Sequence, residues 1–194
     1  MPGGVAVIAP GPEDMKAVGA ALAPLVRPGD TVLLGGDLGA GKTTFTQGLA
    51  AALGVREPVT SPTFVLLRSY RTSAGWDLLH ADVWRLEQLQ EVIDLAIPEL
   101  VVQGAAALVE WGEMAAPALA SDCLHVAIDF VVGAPAAPSP AGPAMAAPAA
   151  APAGPAGAHH GAGGSRRVVF RATGPSWDSR LRALAAILDR AGTP

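Results

Sequence analysis

Gly36-Asp37-Leu38-Gly39-Ala40-Gly41-Lys42-Thr43 follows the apolar run Val32-Leu33-Leu34 and precedes Thr44-Phe45-Thr46-Gln47-Gly48-Leu49-Ala50-Ala51-Ala52-Leu53. These residues fit G-x-x-x-x-G-K-[ST], the pattern of a loop that cradles phosphate. The flanks agree with that reading, because the run before it has the character of a buried strand and the stretch after it that of a helix. Glycine lets the backbone curl around an anion where a side chain would block the approach. The loop N–H groups and the helix N-terminus then present positive potential to the anion. In this pattern Lys42 reaches the β- and γ-phosphates of a nucleotide, and the Thr43 hydroxyl holds Mg2+.

Composition sets the outer bounds. A chain of 194 residues predicts one domain, with room for an appendage. The hydrophobic fraction of 51% overstates the core, because aromatics make up only 5% and alanine supplies much of the rest. No stretch approaches the ~18 consecutive strongly apolar residues of a membrane span. Met1-Pro2-Gly3-Gly4-Val5-Ala6 has no basic region ahead of an apolar segment, so no signal peptide is expected. Cys123 is the only cysteine, which rules out an intramolecular disulfide, and no disulfide-linked partner is expected. Its neighbours, Leu124-His125-Val126-Ala127-Ile128, predict a buried strand position. The simplest expectation is a cytoplasmic protein. A net charge of −4 argues against a large nucleic-acid-binding face.

Along the chain, Pro12-Glu13-Asp14 predicts a helix start, and Met15, Val18, Leu22 and Leu25 give that helix one apolar face. Pro28-Gly29-Asp30 turns the chain into the strand before the loop, and Gly54 is a plausible stop for the helix after it. Ser61-Pro62-Thr63 is a stiff loop, since proline restricts its neighbour as well as itself. Strands are expected over Phe64 to Tyr70 and Trp76 to Asp82, joined as a hairpin through Ser73-Ala74-Gly75. A helix is expected from Leu86 to Leu95, a short strand over Ala105 to Glu110, and a further strand from Leu124 to Val132. Then the composition changes. Residues 133–164 comprise 14 Ala, 7 Pro and 7 Gly, with only Ser139, Met145, His159 and His160 besides. Nothing there has a hydrophobic period, so disorder or loose polyproline structure is expected. A strand resumes over Arg166 to Ala172, and Ser176-Trp177-Asp178 opens a last helix with Leu181, Leu184, Ile187 and Leu188 on one face. The predicted organisation is a domain over 1–132, an insertion at 133–164 in a hairpin loop, and a strand and helix over 165–194 that complete the same domain.

A phosphate-binding loop turns ATP over only with an acid to hold Mg2+ and a group to orient water. Glu110 closes the apolar run Ala107-Leu108-Val109, the form that sets a carboxylate beside such a loop. Asp82 closes a second apolar strand, with a metal-bound water or the attacking water as its expected contact. For each acid the plainer alternative is a strand-end carboxylate facing water. Ser61 and Thr63 lie where proteins with this loop often sense the γ-phosphate, though a Ser-Pro turn also explains them. Arg85 either offsets phosphate charge or pairs with Glu87 or Glu91 at the surface; the physics alone favours the surface. His159 and His160 lack ligand partners at suitable spacing and read as solvated, and His125 as a core or edge residue. Arg166, Arg167 and Arg171 form a basic cluster, either a solvated face or a contact for a partner or RNA. Trp76, Trp84, Trp111 and Trp177 are too scattered to form a base-stacking series and fit core or interface positions.

Four segments taken together resemble a known family. Gly36 through Phe45, then Ser61-Pro62-Thr63-Phe64 with Tyr70, then His80-Ala81-Asp82-Val83-Trp84-Arg85-Leu86, then Val109-Glu110-Trp111 are similar to TsaE, also called YjeE. That family comprises the small ATPases of bacterial tRNA threonylcarbamoyladenosine synthesis. The resemblance covers roughly residues 10–132 and resumes weakly over 165–173. It implies an α/β fold, a P-loop NTPase-like three-layer sandwich with a mixed central sheet. It implies ATP and Mg2+ as cofactors and the TsaD and TsaB proteins as partners, with tRNA reached indirectly through that complex. In this family the ATPase does not transfer the threonylcarbamoyl group; its hydrolysis resets the TsaD–TsaB complex between turnovers. By motif, Gly36, Asp37, Leu38, Gly39, Ala40, Gly41, Lys42, Thr43 and Thr44 bind nucleotide, and Thr43 and Glu110 hold Mg2+. Lys42 and Asp82 serve hydrolysis, while Ser61, Thr63, Arg85 and Trp111 form the switch loop or partner surface.

Two departures from the family pattern stand out. A threonine in the first helix commonly approaches the base, and Met15 stands at the matching position, with Glu13 or the preceding backbone as substitutes. The insertion at 133–164 is absent from the basic pattern. Two other functions share the loop: a small-molecule kinase, which the lack of an arginine-rich lid disfavours, and a nucleotide-dependent binding module that does not hydrolyse.

Overall fold

The computed structural model describes residues 4–62, 66–84, 86, 89–112, 116–131 and 164–191. Thr63, Phe64, Val65, Arg85, Glu87, and the insertion up to residue 163 with His159 and His160, lie outside the described residues.

The strand before the glycine-rich loop, β2 (Thr31–Gly35), is buried along its whole length. That is the pattern of a strand covered on both faces. It is parallel to β5 (Ala106–Glu110) on one side and to β6 (Cys123–Phe130) on the other. β4 (Asp77–Asp82) lies parallel to β5, and β3 (Leu67–Arg71) pairs antiparallel with β4 as the predicted hairpin. On the far side, β7 (Arg166–Thr173) pairs antiparallel with β6, and β1 (Val5–Ala9) antiparallel with β7. The seven strands run β1-β7-β6-β2-β5-β4-β3, a mixed sheet as expected. The β6–β7 register reaches Phe130 opposite Arg166, so the chain leaves and rejoins the sheet at one end of this pair.

Helices cover both faces. α1 (Pro12–Leu22), α2 (Lys42–Ala52) and α6 (Asp178–Arg190) pack on one, through Met15, Val18, Phe45, Leu49, Leu181 and Leu184. α3 (Leu89–Asp94), α4 (Ile97–Val102) and α5 (Ala116–Leu119) pack on the other, where Val92, Ile97, Val101 and Leu119 meet Leu33, Leu79 and Val109. α1 and α2 approach closely because neither presents a side chain at the crossing. A Cβ on Gly48 would overlap the Lys16 carbonyl, and one on Gly19 the Phe45 carbonyl. This crossing sets the start of α1 beside the phosphate-binding loop.

Several boundaries differ from expectation. α2 starts at Lys42 rather than Thr44, so the lysine and Thr43 already belong to the first helical turn. Leu25 falls in a 3-10 turn over Ala23–Leu25 that contains Pro24. The helix expected from Leu86 to Leu95 is the shorter α3, and α4 follows it. Ala96 adopts a left-handed conformation (φ 51°) between them, and Pro98 sits in the first turn of α4. Proline lacks the N–H that would continue α3 through this point. β1 was not expected; its ladder partner, β7, lies far away in sequence.

Cys123 is buried, as its neighbours predict. Burial, and then the charge of Asp122, push its thiol above the ordinary cysteine range.

Opposite the loop, a buried ion pair fastens α6 to the entry of β2. Arg180 Nη1 and Nη2 donate to Asp30 Oδ2 and Oδ1 at 2.5 and 3.0 Å, and Nη1 also donates to the Leu25 carbonyl at 3.0 Å. The guanidinium stacks 3.7 Å from the Trp177 ring centroid. Removing one partner of a buried pair leaves the other charge uncompensated, at about 3 kcal/mol or more. Arg180→Met is therefore expected to lower the urea-unfolding free energy by about 3 kcal/mol. Adding Asp30→Asn to that variant should recover part of the loss. A single-variant loss below about 1 kcal/mol would contradict the clamp.

Candidate functional site

Parallel strands bring their carboxyl ends to one edge of the sheet, where α/β proteins bind ligands. Here β2 runs into the loop, and β4 and β5 end in Asp82 and Glu110. Register sets Leu34 opposite Glu110, and Glu110 opposite Asp82. Side chains alternate along a strand, so His80 and Asp82 project from the same face of β4.

The loop carries its shape in its glycines. Gly36 has φ 129°, and a Cβ there would collide with the Ile128 carbonyl. Lys42 is 5% exposed. Its Nζ donates to the carbonyls of Gly36 and Asp37 at 2.7 and 3.0 Å and lies 3.7 Å from the Trp111 ring centroid. The ammonium thus rests on loop carbonyls and an aromatic face, both of which suit a cation.

Glu110 is the centre of the polar network. Its Oε1 accepts from Thr43 Oγ1 at 3.0 Å and from His80 Nε2 at 2.8 Å. No other hydrogen bond reaches this carboxylate from the described residues. Asp82 Oδ2 accepts from Ser61 Oγ at 3.2 Å, and Oδ1 accepts from the Trp84 N–H at 3.1 Å. Trp84 and Trp111 stand with ring centroids 4.1 Å apart. A cavity of about 320 Å³ opens among Lys42, Thr43, Ser61, Asp82, Glu110 and Trp111, with Leu38 and Trp84 also on its lining. Leu38 is 81% and Trp84 53% exposed.

On the other side of the loop, a second cavity of about 270 Å³ lies between the start of α1 and the loop. Gly11, Pro12 and Met15 line it from α1, Gly39 to Gly41 and Thr44 from the loop and α2, and Arg166 from β7. Met15 is buried, whereas Glu13 is exposed and pairs with Lys16 at 2.7 Å. Arg166 donates to the carbonyls of Gly164 and Gly39 and lies 5.0 Å from the Phe130 ring centroid. It thus parts from Arg167 and Arg171, which are exposed on the sheet.

The structure therefore gathers Lys42, Thr43, Ser61, Asp82, Glu110 and Trp111 around one cavity; Thr63 and Arg85 lie outside the described residues. His80, Trp84 and Arg166 also belong to the site's surroundings, a role not expected for any of them from the sequence. Alternation in β4 was the available signal for His80; for Arg166 there was none.

The donor set fits Mg2+ and a nucleotide phosphate. Among the described residues no three His, Cys, Asp or Glu side chains converge on one point. Mg2+ suits such a site, since it is commonly held by one or two side chains with phosphates and water completing its shell. A hydroxyl that ligates a cation through oxygen keeps its proton to donate. The Thr43–Glu110 hydrogen bond is therefore compatible with Thr43 as a metal ligand.

The family model "Threonylcarbamoyl adenosine biosynthesis protein TsaE" matches residues 9–132. A Streptomyces coelicolor protein described as "tRNA threonylcarbamoyladenosine biosynthesis protein TsaE" is 46% identical over 121 residues, spanning 61% of this chain and 81% of that protein. The Bacillus subtilis protein of the same description is 40% identical over 117 residues, spanning 60% and 72%. The crystal structure of YdiB from Bacillus subtilis superposes with a TM-score of 0.63 at 27% identity, covering 99% of this chain and 98% of that one. With the family model spanning the loop, both strand-end acids and the sheet edge that carries them, the chain belongs to the TsaE family of threonylcarbamoyl adenosine biosynthesis proteins.

Proposed function

We propose that this TsaE-family chain binds Mg2+·ATP at the Gly36–Thr44 loop and hydrolyses it to ADP and phosphate. On this reading it acts in the cytoplasm on a TsaD–TsaB complex and resets that complex between turnovers of tRNA threonylcarbamoyladenosine synthesis. The observation that carries the proposal is the placement of Thr43, Glu110 and Asp82 around one cavity beside Lys42.

Each residue has a distinct task. Lys42 gives up the carbonyls of Gly36 and Asp37 and takes phosphate oxygens instead. The N-terminus of α2 adds its dipole to the same anion. Thr43 would offer an oxygen lone pair to the cation while its hydroxyl proton remains donated to Glu110 Oε1. Bound Mg2+ supplies charge neutralisation at the phosphates. Asp82, steadied by Ser61 and the Trp84 N–H, orients the attacking water and accepts its proton. Leu38 and Trp84 expose apolar surface at the cavity, which favours a protein partner closing over the site. Among the described residues no helix is long and apolar enough to cross a membrane.

Phosphate release from Mg2+·ATP, measured alone and with TsaD and TsaB homologues, is expected to be slow for the isolated chain and faster with both partners. Lys42→Ala should lower the stimulated rate by about 100-fold or more and abolish the tRNA modification in cells while the protein stays folded. Normal modification in that strain would contradict the proposal. Asp82→Asn should keep ADP binding and lower kcat by about 100-fold; turnover at the wild-type rate would remove Asp82 from the mechanism. Transfer of labelled γ-phosphate to a metabolite would identify a kinase instead. Nucleotide binding without phosphate release, even with both partners, would identify a non-hydrolysing module.

A further inference from the structure

His80 is the most deeply buried polar side chain at the site, at 0% exposure, beneath a carboxylate that is itself 3% exposed. A carboxylate only accepts, so the Nε2 that faces Glu110 Oε1 at 2.8 Å carries the hydrogen. The other ring nitrogen, Nδ1, is buried and has no hydrogen-bond partner among the described residues. A buried polar atom without a partner costs stability. An apolar side chain would fill this place in β4 without that cost, so packing alone does not account for a histidine.

We propose that His80 is a positioning residue for the divalent cation, holding Glu110 by Oε1 so that Oε2 remains for the cation or its water. The inference rests on the Mg2+·ATP reading of the site. Thr43 and His80 both bond Oε1, so two anchors share the same oxygen. Their footings differ. Thr43 sits in the first turn of α2, at the loop that must adjust to phosphate. His80 sits within β4, two residue pairs from the Asp82–Glu110 pair of the parallel ladder. The strand therefore fixes the carboxylate while the loop rearranges. Groups that orient a metal-binding side chain from behind typically change metal affinity by 10- to 100-fold when removed.

The test is calorimetric titration of ADP at a series of Mg2+ concentrations and in EDTA, using wild type, His80→Leu, His80→Gln and His80→Asn. His80→Leu is expected to raise the Mg2+ concentration at half effect roughly tenfold or more, with ADP affinity in EDTA within about twofold of wild type. The glutamine amide reaches the Nε2 position and should restore the Mg2+ midpoint to within about threefold; asparagine places its amide near Nδ1 and should not. If the leucine protein does not fold, the glutamine–asparagine pair carries the test. An unchanged midpoint in His80→Leu, equal midpoints for the two amides, or an equal loss of ADP affinity in EDTA would overturn the inference. Wild type that binds ADP without any Mg2+ dependence would instead overturn the site reading on which it rests.

Discussion

The level register of β2, β5 and β4 is the constraint on which the site depends. Leu34 stands opposite Glu110, and Glu110 opposite Asp82. A slip by one residue would turn every side chain of a strand to the other face. Glu110 would then point into the layer of α3, α4 and α5, and Thr43 would lose its partner. Both sheet faces are packed, so such a slip would also seat each apolar set in the wrong layer and bury the acids among apolar side chains. The hydrophobic pattern that makes the fold is thus what fixes the chemistry.

Within this frame the loop holds its lysine in reserve. Lys42 is bonded to the carbonyls of Gly36 and Asp37 and covered by Trp111. Trp111 itself has φ 63°, a left-handed conformation that costs a non-glycine residue of order 1 kcal/mol or more. Its N–H is held by the Leu34 carbonyl at 2.9 Å, which ties this turn to the strand that feeds the loop. Trp111 in turn contacts the half-exposed Trp84. A movement of Lys42 toward phosphate therefore uncovers one face of an indole that touches the surface. On the proposed function, this is a physical route by which a partner would sense a loaded site.

Local patterns made much of this legible in advance. The loop, its flanking strand and helix, and the acids closing two apolar runs all follow from short-range rules of spacing. So does the β3–β4 hairpin, joined by a glycine turn. Features that depend on long-range partners were not legible. β1 is five residues rich in alanine and valine whose only ladder among the described residues is with β7. Arg166 meets Gly39 across 127 positions, so nothing near either residue announced the contact. His80 lies between: strand alternation put it on the face of Asp82, but only the β4–β5 register put it under Glu110. The helix expected to end at Leu95 does stop before Ala96; the short α4 beyond it had no signal of its own.

On the proposed function, the loop, Thr43, Glu110 and Asp82 form one Mg2+·ATP site. A crystal structure with Mg2+ and a non-hydrolysable ATP analogue tests it most directly. The expected result is Lys42 Nζ moved from the loop carbonyls to phosphate oxygens, Thr43 Oγ1 on the metal, Glu110 still bonded to His80, and a water between Asp82 and the γ-phosphate. Phosphates bound away from the Gly36–Thr44 loop, or a metal held without Thr43 and Glu110, would contradict it.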